Sequence, residues 1–373
     1  MPDRLLIRGL ASTPRAISVA GGRILALDNQ AAAADEGITT IDGTGLTAHP
    51  GFIELQVNGI EGLDFTADPG SIPLAGPALA RHGITAYLPT IVTAPRGRVE
   101  TALDVLANVH EVEGAVPIGL HLEGPFISPA RRGAHDPAHL RDPDLDEIRG
   151  WLAGGARIVT LAPELPGALE AVAAIAAAGG IASIGHTDAD AETTASAVDA
   201  GARYATHLFN AMPPLDHRSP GPVAAVLADD RVTVGVIADG VHLDPRVLAL
   251  VARAARGRIS IVSDAVATGL GGRPLTHDPE GGARLADGRL AGGTHGLDHG
   301  VRTFAAVAGS TAAIAAVTEV PARLLGLVDG RGFIRVGGRA DIVLLTDDLE
   351  VAATIVGGRV AFHRAPGASK PRT

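Results

Sequence analysis

Residues 181–210, IASIGHTDADAETTASAVDAGARYATHLFN, constrain what this chain can fold into more than any other stretch. His186 and His207 each stand where a short apolar run stops, and an alanine-rich helical segment separates them. The pattern predicts strand, helix, strand, with one imidazole at each strand end. Successive strands of a parallel α/β sheet point the same way, so both imidazoles emerge on one face. Two imidazoles on neighbouring strand ends suggest a metal site.

The same alternation runs through most of the chain. Apolar runs at 47–57, 84–91, 116–123, 157–162, 181–185, 203–208, 232–238 and 258–263 read as strands. Amphipathic segments lie between them, among them 97–110, 166–178, 189–200 and 244–256. Strands alternating with helices in this number predict a (β/α)8 TIM barrel, with chemistry at the C-terminal strand ends. A polar loop at 127–143 and a Gly-rich hairpin or lid at 270–296 interrupt the pattern. Residues 4–28 and 333–363 have another texture, short β-branched runs with Gly-Gly turns. They predict one small β-sandwich domain built from both termini, residues 1–48 with 332–373, around a barrel of 49–331. A chain of 373 residues accommodates both units.

Composition narrows the function. The net charge of −10 argues against general nucleic-acid binding. No segment has the ~20 uninterrupted apolar residues of a membrane helix. The start, MPDRLLIRGL, is too short in its apolar run to be a signal peptide and is broken by Arg8. There is no cysteine, hence neither disulfide nor thiolate ligand. A soluble cytoplasmic protein is expected, with any metal held by His, Asp or Glu.

The strand ends then sort the polar residues. Glu54, Gln56 and Asn58 alternate and share one face of the first strand, pointing into a polar site or marking a partly exposed strand. His121 and Glu123 share a face of the third; Gly124-Pro125 ends that strand. Glu123 reads as a metal ligand beside His186 and His207, or as an arginine's partner. His121, one step deeper, reads as a hydrogen-bonded core residue. Glu164 has no evident partner. Asp264 ends an apolar eighth strand, where it serves acid–base catalysis or caps the next segment. His49 lies at the wrong end of a barrel. His82, His110, His139, His217, His277 and His363 read as solvated.

Several stretches together resemble the N-acetylglucosamine-6-phosphate deacetylase family of the amidohydrolase superfamily: HPGFIELQVNG, GLHLEGPF with RRGAHDPAHL, SIGHT, ATHLFNAMPPLDHRSPG, IADGVHLD and IVSDAVA. They run in the family's order, and the terminal segments match its split β domain. The resemblance implies that Glu123, His186 and His207 bind metal and that Asp264 is general base and acid. It implies that His135 contacts the substrate near the reacting carbonyl. Asn210, the backbone of Ala211, and His242 would hold the sugar phosphate. Arg218 would reach the phosphate of a neighbouring subunit's site, which implies a homodimer. Many amidohydrolases carry His-x-His where this chain has Gln56 and Asn58. Amides are poor ligands for transition metals, so one divalent metal is expected, zinc first, with iron or cobalt compatible; Gln56 and Asn58 would then contact the water or the ligands. The family's lid segment reads roughly Ala-Gly-Ser-x-Leu-Thr-Met. Here it is Ala291 to Leu297, with Leu297 as apolar wall over the acyl group and an unexpected His295. Hydrolysis of N-acetylglucosamine 6-phosphate is the expected activity. The galactosamine epimer or another N-acyl amino sugar is the alternative. A cyclic-amidase-type site is disfavoured, because the only lysine, Lys370, lies in the tail. A non-catalytic sugar-binding barrel would not need these strand ends. The tail after 364 is expected to lack order.

Overall fold

The computed structural model describes residues 4–31, 38–109 and 111–364. His110 and the tail after 364 lie outside the described residues. Eight parallel strands form the barrel: β1 (Phe52–Val57), β2 (Ile84–Val92), β3 (Leu120–Glu123), β4 (Ala156–Leu161), β5 (Ile181–Ile184), β6 (Tyr204–Ala205), β7 (Thr233–Ile237) and β8 (Ile259–Val262). Parallel strands covered by helices bury both faces, and β2, ITAYLPTIV, is buried along its whole length. Neighbours pair in sequence order from β1 to β8. The ring closes only at the strand ends: Asp264 N–H donates to Gln56 O at 3.0 Å and Asn58 N–H to Ala265 O at 2.8 Å.

Three of the helices between the strands start on side-chain caps. Asp144, Asp190 and Asp244 each accept a backbone N–H in the first turn of Leu145–Ala153, Ala191–Ala200 and Pro245–Ala254. Each such cap contributes ~1 kcal/mol. The main core lies between these helices and the barrel wall. A second apolar cluster, including Ile53, Leu55, Ile158 and Tyr204, fills the barrel interior.

The terminal segments form two four-stranded sheets. One contains Arg4–Arg8, Ala16–Ala20, Arg23–Leu27 and Thr39–Asp42. The other joins Thr47–Pro50 to Ile342–Leu345, Val351–Val356 and Arg359–His363. Leu5, Ile7, Ile17 and Ile24 from the first meet Ile342, Leu344 and Ile355 from the second in one core.

Three expected strands are shorter or split, and each break has a cause. The run 47–57 divides at Gly51: the part before it joins the terminal sheet, the part after it enters the barrel. A Cβ at Gly51 would lie 2.2 Å from the Thr85 side chain, so the chain passes there only as glycine. The run 116–123 breaks before β3, at Gly119, which has φ +142°. The run 203–208 keeps only Tyr204–Ala205, because the backbone turns over at His207 with φ +26°. The segment 270–296 is a small antiparallel sheet over the barrel mouth, Thr276–His277, Gly282–Arg284 and Leu290–Gly293.

Candidate metal centre and its cavity

Glu123 is the last residue of β3, and His186 and His207 each lie two residues beyond β5 and β6. Their donor atoms converge. His186 Nε2 lies 3.1 Å from Glu123 Oε1, His207 Nε2 lies 2.8 Å from the same oxygen, and the two nitrogens are 3.1 Å apart. The backbone is left-handed at both histidines and at Asp264, with φ +49°, +26° and +46°. These are not glycines, so the fold bears strain to swing three side chains into the mouth.

The chemistry of this donor set fits a divalent cation. His186 Nδ1 lies 2.9 Å from Arg131 O. A carbonyl only accepts, so the ring's proton sits on Nδ1 and the Nε2 lone pair points inward. His207 Nδ1 is buried without a partner among the described residues, so its ring is oriented by Nε2 alone. Two imidazole nitrogens and one carboxylate oxygen, all within 4.8 Å of one another, make a set that zinc, iron or cobalt accepts. Burial pushes the Glu123 carboxyl up, but hydrogen bonds and charge from His186 and His207 outweigh this and hold it well below the usual range.

Asp264 sits across Gln56 from this cluster. Gln56 Nε2 donates to Glu123 Oε1 at 3.2 Å and to Asp264 Oδ1 at 3.0 Å, and Asn58 Nδ2 donates to the same Oδ1 at 2.8 Å. Burial, and then the charge of Glu123, push the Asp264 carboxyl up to about 7 against the pull of His207, His242 and Asn58. Glu54, one turn of the pleat deeper, accepts from the N–H of Gln56 at 3.1 Å and of Ser263 at 3.0 Å, tying β1 to the residue before Asp264.

A cavity of about 170 Å³ opens on these groups. Glu123, His135, His186, His207 and Asp264 line it, as do Asn58, Asn210, Ala211 and His242. Its apolar side is Val92, Ile237, Leu270 and Leu290. Buried His135 lies with Nε2 3.9 Å from Glu123 Oε2. Burial and the neighbouring His186 hold its pKa well below the usual value. His242 Nδ1 meets Asp239 Oδ2 at 2.7 Å.

Leu297, expected as a wall of the cavity, does not line it, and neither His295 nor Arg218 does so in its own chain. Leu297 is fully buried in the core at the start of the helix Leu297–Ala308; Leu270, Leu290 and Ala291 stand on the cavity wall instead. His295 stacks on His299 with ring centres 4.1 Å apart, so the departure from the family's lid pattern does not face the substrate space. Arg218 is exposed and contributes nothing to the cavity of its own chain. His121 is spent inside the barrel, bonded to Leu55 O at 2.9 Å and Thr160 Oγ1 at 2.7 Å. Glu164 does have partners: it accepts from Thr187 Oγ1 and, at 2.6 Å, from Asp188 N–H, bracing the turn after His186. Two residues escaped the sequence reading. Asp239 was visible beside His242, but nothing marked it as that ring's partner. Thr93 follows β2, a barrel strand whose end offered no charged group or histidine.

The fold and this donor set are those of a barrel enzyme with a group at its mouth that could hold a metal ion. Residues 47–361 match the amidohydrolase family model. The N-acetylglucosamine-6-phosphate deacetylase of Bos taurus is 39% identical over 391 residues, covering 96% of this chain and 94% of that protein. An N-acetylgalactosamine-6-phosphate deacetylase of Escherichia coli is 35% identical, covering 84% and 87%. A mutant of the Mycobacterium smegmatis N-acetyl-D-glucosamine-6-phosphate deacetylase, solved in complex with N-acetyl-D-glucosamine-6-phosphate, superposes with a TM-score of 0.83 at 32% identity, covering 96% and 99%. The chain belongs to the amidohydrolase family and, within it, to the N-acetylglucosamine-6-phosphate deacetylases.

Proposed function

We propose that this enzyme hydrolyses the acetamide of N-acetylglucosamine 6-phosphate, giving glucosamine 6-phosphate and acetate. The observation that carries the reading is the convergence of Glu123, His186 and His207 with Asp264 held across the same glutamine. A divalent cation on those three ligands, zinc by preference, would supply Lewis acidity and make water a nucleophile near neutral pH. Asp264 takes the proton of the attacking water. Both amide donors bind its Oδ1, which leaves Oδ2 for that proton. The protonated acid then delivers it to the departing amine, which is too basic to leave as an anion. His135, beside Glu123, stabilises the charge that grows on the carbonyl oxygen.

The sugar phosphate lies toward Asn210, Ala211 and His242, away from the reacting bond. Its binding energy positions the acetamide, so a substrate without phosphate loses turnover as well as affinity. The reading includes a homodimer in which Arg218 crosses to the neighbouring site; its exposure and its place outside the lining of its own cavity support this. Residues 49–331 act as the catalytic unit, with 1–48 and 332–373 as the split β domain. A phosphorylated, membrane-impermeant substrate goes with a cytoplasmic location. Among the described residues no helix is long and apolar enough to cross a membrane. The E. coli relative keeps the galactosamine epimer as a second reading.

The deciding experiment is acetate release by zinc-loaded protein from N-acetylglucosamine 6-phosphate, its galactosamine epimer and unphosphorylated N-acetylglucosamine, with His186→Ala as control. Release from the first substrate, abolished in the control, is expected. Faster release from the epimer would move the assignment to the second reading. Equal rates with and without phosphate would remove Arg218 and His242 from the site.

A further inference from the structure

We propose that Thr93 is a positioning residue that fixes His135 as a neutral ring with its proton on Nε2, so that the ring presents a donor to the acyl carbonyl. The inference rests on the deacetylase reading only for the identity of that carbonyl. A backbone N–H only donates. Thr93 N lies 3.3 Å from His135 Nδ1 with its hydrogen directed at the ring, so that nitrogen keeps its lone pair. Thr93 Oγ1 is closer, 2.7 Å from the same nitrogen, and with a lone pair there its hydroxyl donates too. The neutral ring's one proton is therefore on Nε2, the atom facing Glu123 and the cavity.

The other cavity histidines show that this is a choice. His186 Nδ1 faces a carbonyl oxygen and His242 Nδ1 faces a carboxylate, both obligate acceptors. Each carries its proton on Nδ1 and, when neutral, turns a lone pair inward. For His186 that lone pair is what a cation needs. At His135 the same tautomer would set a lone pair against the carbonyl oxygen and repel it as charge develops there. Of the three rings whose Nδ1 has a partner, His135 alone is reversed, and Thr93 supplies both donors that reverse it.

Local packing serves this contact. Thr93 is buried at the end of β2. A Cβ on Gly124 would lie 2.3 Å from the Thr93 hydroxyl, so the glycine directly after Glu123 makes room for it. One strand end holds a ligand while its neighbour sets the polarity of the ring above it.

Thr93→Val keeps the shape and the backbone N–H but removes the hydroxyl; Thr93→Ser keeps the hydroxyl. The measurement is the ¹⁵N spectrum of the histidine side chains in metal-loaded protein without substrate, with the His135 signals assigned from a His135→Gln sample, together with steady-state kinetics. The wild type is expected to show a protonated Nε2. Thr93→Val should shift the ring toward the other tautomer and lower kcat roughly tenfold with KM little changed, less than the ~10²–10³ typical for deleting such a donor outright. Thr93→Ser should restore both. A protonated Nδ1 in the wild type would overturn the tautomer assignment; a tautomer unchanged in Thr93→Val would show that the retained backbone N–H suffices and would overturn the hydroxyl's part in it. So would a loss of activity that only follows the melting temperature and is not rescued by serine. If Nε2 is protonated as expected but no acetate is released, the tautomer assignment survives and the deacetylase reading fails.

Discussion

Two buried aspartates, one in each part of the molecule, are treated in opposite ways. Asp341 opens the strand Ile342–Leu345 in the terminal sheets, with its side chain 1% exposed. Arg339 Nε pairs with it at 3.0 Å and Arg331 Nε at 3.1 Å, and Gly357 N–H donates to it at 2.6 Å. Asp264, 8% exposed at the barrel mouth, has no cation among its hydrogen-bond partners in the described residues. It has two amides and the negative Glu123 beyond one of them, and its carboxyl is pushed up to about 7. A buried acid fully matched by guanidinium groups anchors a fold; one left with neutral donors is ready to exchange a proton.

The sharpest test of that contrast is Asp264→Asn. Turnover should fall by ~10²–10⁴, the usual worth of a general acid–base group. Metal content and thermal stability should hold or rise, since an uncompensated buried acid is removed. Acetate release, metal analysis and a melting curve on one preparation check this; near-normal turnover would end the proton-transfer role. Asp341→Ala should do the reverse. Arg331 would keep only Asp329 and the partly exposed Arg339 would lose its carboxylate, costing ~2 kcal/mol of folding stability, less than the ~3–5 of a fully buried broken pair. The kcat of the molecules that remain folded should stay within about twofold, because the site lies elsewhere. Denaturant unfolding with parallel activity measurements separates the two effects. A kcat that collapses with intact folding would show that the terminal sheets reach into the catalysis.

The strand-end chemistry was legible because charge at the end of an apolar run is conspicuous. Glu123, His186, His207 and Asp264 each interrupt such a run, and the structure brings all four around one cavity. Thr93 was not legible: a threonine after a strand is commonplace, and only the N–H and hydroxyl converging on one ring nitrogen reveal it. Leu297 failed for a different reason. An apolar residue after a lid suits a cavity wall and a helix's buried face equally well, and the helix claimed it. The split at Gly51 was hidden by unbroken strand propensity, since Thr85 excludes a side chain there only once the strands are assembled. The left-handed turns at His186, His207 and Asp264 also left no trace, because none of them is a glycine.

Asp298 lies between the two extremes and gives the smallest expected effect. It begins the helix Leu297–Ala308 with its side chain 17% exposed; His82 Nδ1 meets one of its oxygens and Arg302 Nη1 the other, each at 2.7 Å. Burial pushes its carboxyl up, but the hydrogen bond and charge of His82 and the charge of Arg302 prevail and hold it well below the usual range. A carboxyl whose folded pKa lies below its unfolded value of about 3.9 stabilises the fold above that pH. The contribution is lost as the pH falls below ~4, where the unfolded chain takes up the proton first. Asp298→Asn should therefore cost ~1 kcal/mol at neutral pH, the scale of a partly exposed pair near a helix start. It should also flatten the fall in melting temperature between about pH 5 and 2 relative to the wild type. Parallel acid limbs for the two proteins would mean that His82 and Arg302 hold Asp298 no more tightly than solvent does. The matched and unmatched acids would then be two separate cases, with nothing graded between them.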